Sequence, residues 1–74
     1  GKEGIIIELK ALNMAKKLDK DKIKAKLENE CEIALNQIDE KEYGSILKNA
    51  GIERMLKIGI AFLGKEFEIK FRRE

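Results

Sequence analysis

A chain of 74 residues has room for one domain and buries only about 60% of the surface its unfolded form exposes, so any cleft in it is shallow or shared with a partner. Charged residues make up 41% of the chain, yet the net charge is +2, a balance that suits an ion-paired surface better than a dedicated nucleic-acid track. Histidine is absent and Cys31 is the single cysteine, which excludes His-dependent acid–base chemistry, Ser-His-Asp and Cys-His arrangements, HExxH zinc sites, internal disulfides and thiolate clusters.

The chain opens on Gly1-Lys2-Glu3-Gly4, which reads as a turn. No initiator Met precedes it, and the sequence is read as a fragment of a longer chain. Ile5-Ile6-Ile7-Glu8-Leu9-Lys10 follows as a strand. Its run of isoleucines predicts cover on both faces, as in a parallel or central position. Glu8 and Lys10 project from the same face because side chains alternate along a strand. An acid and a base on an otherwise apolar strand are costly to bury. They make either a metal-dependent site of the E-x-K type or an ion pair where the strand's polar end meets solvent.

Ala11 to Asp21 is polar and lysine-rich, with Met14 and Leu18 one helical turn apart. It reads as a loop or a weak first turn, and Asp19 or Asp21 can cap the helix that follows. From Lys22 the period is helical. Ile23, Leu27, Cys31, Ala34, Leu35 and Ile38 form one stripe, and Lys24, Lys26, Glu28, Glu32 and Asp39 face outward. On this stripe Cys31 is a buried structural thiol. The lysines from Lys16 to Lys26 alternate with acids and read as a solvated surface. A short helix from Glu42 to Asn49 carries Tyr43, Ile46 and Leu47, and Ala50-Gly51 ends it with a left-handed cap.

Met55 to Phe62 is the next strand. Leu56, Ile58, Ile60 and Phe62 give it an apolar face, and Gly59 and Ala61 leave the other face small enough for a helix or another backbone to come close. Leu63-Gly64-Lys65 signals a hairpin. In the last strand, Glu66 to Arg73, the alternation predicts Phe67, Ile69 and Phe71 facing in, with Glu66, Glu68, Lys70 and Arg72 facing out, as on a protected edge. Phe62, Phe67 and Phe71 are therefore expected in the core. The order strand–helix–short helix–strand–strand predicts an α+β fold: a small mixed sheet with helices on one face. The first strand then has a neighbour on one side only. Its free edge is expected to be covered by upstream strands or by a second copy, giving a homodimer through the exposed strand edge.

Three stretches together, Gly4-Ile5-Ile6-Ile7-Glu8-Leu9-Lys10, Ala34 to Tyr43 and Ile58 to Glu66, resemble the C-terminal PD-(D/E)XK nuclease-like domain that follows an AAA-type ATPase-like domain in bacterial and archaeal proteins. The resemblance implies one partial restriction-endonuclease-like domain over residues 1–74, nucleic acid as substrate and Mg²⁺ as cofactor. Glu8 matches the metal ligand and Lys10 the catalytic lysine that orients or activates water. Gln37 matches a glutamine on the following helix. Tyr43 follows it six residues later rather than four, and Lys41 stands at the four-residue spacing. Each position also has a plainer reading: a strand-end ion pair for Glu8 and Lys10, a helix-margin residue for Gln37, a contact between the helices for Tyr43. The family's first acidic residue has no counterpart here, since only Glu3 precedes Glu8. The resemblance therefore implies half a site, inactive as this chain. The alternative is a non-catalytic interaction module that keeps the nuclease-like fold. No apolar run reaches the roughly 20 residues of a membrane span, and no signal peptide opens the chain. Cytoplasmic residence is the expectation.

Overall fold

The computed structural model describes residues 1–13, 17–41 and 43–74. The fold is α+β, in the order β1 (Lys2–Ala11), α1 (Lys20–Glu40), α2 (Gly44–Asn49), β2 (Ile52–Leu63) and β3 (Glu66–Arg73). The three strands form one mixed sheet in the order β1-β2-β3. β1 lies parallel to β2, and β2 antiparallel to β3. The opening residues join the sheet: β1 begins at Lys2, so only Gly1 lies outside it where a turn was expected. Met14 and Lys16 lie outside the described residues, as does Glu42 at the expected start of α2.

Asp19 caps α1, its carboxylate accepting from the Lys22 backbone N–H at 2.9 Å. This ties down one of the free donors of the first turn. Leu27, Cys31, Ala34, Leu35 and Ile38 are buried along the expected stripe. α1 lies over the middle strand because β2 is bare there. A Cβ at Gly59 would stand 2.5 Å from the Cys31 carbonyl oxygen and 3.1 Å from Ala34 Cβ. The Cys31 thiol donates to the Glu68 carbonyl at 3.2 Å, and burial raises its pKa. Gly51 (φ +80°) closes α2, and Gly64 (φ +60°) turns the β2–β3 hairpin. Both sit in the left-handed region that only glycine enters cheaply.

The register divides the sheet into two unlike faces. Toward α1 the rows read Ile6–Lys57–Arg72, Glu8–Gly59–Lys70 and Lys10–Ala61–Glu68. Away from α1 they read Ile7–Ile58–Phe71, Leu9–Ile60–Ile69 and Ala11–Phe62–Phe67. This reverses the facing expected of β3. Its alternation is as read, but Phe67, Ile69 and Phe71 point away from the helix and are 60%, 51% and 65% exposed. Phe62 is also exposed, at 40%, so none of the three phenylalanines is in the core. β1 has no cover on its outer face either, for Ile5, Ile7 and Leu9 are exposed. The cause is the helix, which packs where β2 is smallest, and the pairings of Gly59 with Lys70 and Ala61 with Glu68 carry the β3 charges to that side.

Those charges are met by the flank of α1. Lys57 is buried and donates to Asp39 at 2.5 Å and to Glu74 at 2.7 Å. Arg72 donates to Asp39 and Glu32 at 2.9 Å each, and Lys70 to Glu32 at 3.2 Å. Glu32 and Asp39, expected to face outward, keep much of their surface in solvent and from that flank reach the charges of β2 and β3.

Candidate functional site

Glu8 and Lys10 do share a face. Both are half-buried on the helix side of β1, while Ile7 and Leu9 between and beside them point the other way. Their partners across the sheet are Gly59 and Ala61, the small residues over which α1 packs. Their relation is not a mutual ion pair. Glu8 accepts from Lys41 Nζ at 2.8 Å through Oε1 and 3.2 Å through Oε2, and this carboxylate is what holds the Lys41 pKa above its ordinary value. Lys41 is the C-cap of α1, so the end of the helix is pinned to the acid of the E-x-K element.

Gln37 stands one helical turn before Lys41, and the Lys41 N–H closes that turn on the Gln37 carbonyl at 3.1 Å. Residues four apart occupy the same side of a helix, so Gln37 belongs to the flank that Lys41 extends toward β1. Tyr43 lines a cavity of about 250 Å³ with Ile6, Ile38, Leu47 and the Lys57–Asp39 pair, a position between the two helices. It is also near enough to Lys41 to add to the raising of that lysine's pKa.

The residue that completes the local chemistry is therefore Lys41. Its four-residue spacing from Gln37 was the available signal, but contact with Glu8 spans 33 residues of sequence and no local pattern announces it.

The residues present do not by themselves fit a magnesium ion. Mg²⁺ takes oxygen ligands in near-octahedral geometry, usually with one or two carboxylates and waters. Here one carboxylate is available at the E-x-K element, and an ammonium engages both of its oxygens. Among the described residues no group of three or more His, Cys, Asp or Glu is placed to hold a metal. Among them, too, no helix is long and apolar enough to cross a membrane. Comparison with protein-family models, with curated proteins and with solved structures yields no match to this chain.

Proposed function

We propose that residues 1–74 form the Glu-x-Lys half of a PD-(D/E)XK-type nuclease core, acting on nucleic-acid phosphodiesters in a longer protein with an ATPase-like domain and inactive as this chain. The observation that carries the reading is the shared, half-buried placement of Glu8 and Lys10 on the helix side of β1, beside the small residues of β2, with the free edge of β1 next to them. In this reading an upstream strand pairs with that edge and brings a second carboxylate, completing the oxygen ligands for magnesium together with waters. The Lys10 ammonium then stabilises negative charge developing on a phosphodiester. Gln37, on the overlying flank, orients the group above Glu8. For Glu8 to act as a ligand, Lys41 has to release it.

The test is cleavage of DNA and RNA in Mg²⁺ by the protein that carries this segment. Glu8→Gln and Lys10→Ala should each reduce cleavage at least about 100-fold, as losing an electrostatic stabiliser of the transition state does, with circular dichroism unchanged and with melting lowered only slightly in Glu8→Gln, which weakens the ion pair to Lys41. Cleavage retained in both variants overturns the reading. Residues 1–74 alone should cleave neither substrate in Mg²⁺ or Mn²⁺.

One observation favours a second reading, a non-catalytic interaction module: Glu8 is already satisfied by Lys41 and so has a structural role. The unpaired β1 edge would then serve association, by adding a strand from a second copy. Calorimetry that detects no Mg²⁺ binding in the longer protein, together with no cleavage, selects this reading.

A further inference from the structure

The outer face of the sheet is the largest unexplained feature of the molecule. Over its three apolar rows it carries no charge and no side-chain hydrogen-bonding group. Ile5, Ile7 and Leu9 on β1 are 62%, 52% and 62% exposed, and Phe67, Ile69 and Phe71 on β3 are exposed to a similar degree. Together with Phe62, at roughly 200 Å² for a fully exposed aromatic side chain and less for Ile and Leu, these residues offer roughly 600–700 Å². That approaches the area each partner contributes to a standard stable interface, and it exceeds the few hundred Å² of contiguous apolar surface that soluble monomers usually tolerate.

We infer that two copies of this chain pack these faces together about a two-fold axis running along the strands, forming a two-sheet sandwich with α1 on each outer side. The inference is independent of the nuclease reading. Three features of the face select a second copy. First, a two-fold interface needs only one self-complementary patch, and this patch contains no polar group that would select a different chain. Second, the patch is graded in size, with aromatic rings on β3 and aliphatic side chains on β1. A two-fold axis along the strands lays the β3 column of each copy over the β1 column of the other, so rings meet branched side chains. Third, the charges at one end of the face are complementary in the same arrangement. Glu3 lies on β1 and Arg73 on β3, paired within the chain at 2.9 Å. The same rotation brings Glu3 of each copy toward Arg73 of its partner. Aligned sheets in such a sandwich stand about 10 Å apart.

Sedimentation equilibrium should give twice the 8.5 kDa chain mass at micromolar concentration. In a mixture of isotope-labelled and unlabelled copies, filtered NOE spectra should connect the Phe71 ring of one copy with Ile5 and Ile7 methyls of the other. Phe71→Lys should raise the dissociation constant at least about thirty-fold, the loss typical of a central aromatic anchor. A mass of 8.5 kDa throughout the range overturns the inference. So does a dimer without those NOEs, or one unaffected by Phe71→Lys, since either means association through another surface such as the β1 edge. If Phe71→Lys does not fold, the wild-type NOEs decide.

Discussion

At Gly59 the backbone of β2 and the Cys31 carbonyl leave no space for a methyl group. Gly59→Ala must push α1 outward, which strains the contacts of Ala34 and Leu35 that also meet this position. The expected cost is about 1–3 kcal/mol, read as a lower urea midpoint with an unchanged slope. A second residue-scale prediction concerns Asp39. The Lys57 ammonium bonded to it lowers its pKa, with further lowering from Arg72. A carboxyl depressed in the folded state adds stability above its unfolded value, here 3.8, and loses that contribution as the pH falls through the lower folded value. The pKa of Lys57 is raised by the same bond, so its contribution is complete below 10.5 and is lost only above it. Stability from this pair is therefore flat across neutral pH and falls on the acid side. Asp39→Asn should lower stability at pH 7 by about 1 kcal/mol, a modest figure because Asp39 is 39% exposed. It should also flatten the acid limb in urea titrations between pH 2.5 and 7.

At the level of elements, local chemistry was readable and facing was not. The α1 stripe, the choice of Asp19 or Asp21 as cap, the Gly51 stop and the Gly64 hairpin each rest on residues a few positions apart, and each is found. Asp19→Ala should therefore cost about 1 kcal/mol through the Lys22 N–H it leaves free, visible as a lower melting temperature. β3 shows the limit. Alternation separates Phe67, Ile69 and Phe71 from Glu68, Lys70 and Arg72, but which set meets the helix depends on the pairing with β2. The small residues Gly59 and Ala61 allowed the close approach of a helix or of another backbone, and the structure puts α1 there. The hairpin register at Leu63–Glu66 then places Lys70 and Glu68 beside them, against the usual preference for burying phenylalanine. That preference is overridden because α1 brings Glu32 and Asp39 to satisfy the charges. The site divides in the same way. The shared face of Glu8 and Lys10 follows from spacing alone, whereas the Lys41 contact depends on where α1 ends over β1.

The whole molecule is an elongated two-layer unit, one helical layer on one sheet. Its Cα radius of gyration is 14.5 Å and its extents are 46 × 17 × 15 Å. A compact chain of this length would have a radius near 11 Å. The excess comes from the long axis, along which the 21-residue α1 and the 12-residue β2 are laid out. The buried apolar set on the helix side is Leu27, Cys31, Ala34, Leu35, Ile38, Ala61 and Leu63, while larger side chains stand uncovered on the other. A domain this small has little stability in reserve. If the uncovered face is what joins two copies, folding and association are linked, and mass action makes the native state more stable as the chain is concentrated. The melting temperature should then rise steadily from 1 to 100 µM and be steeper against concentration than in Phe71→Lys, whose melting should be lower and independent of concentration. A wild-type melting temperature that stays constant over that range would mean that the two-layer unit is stable as a single copy. Its core would then be carried by α1 over Gly59 and Ala61 together with the ion pairs of β3.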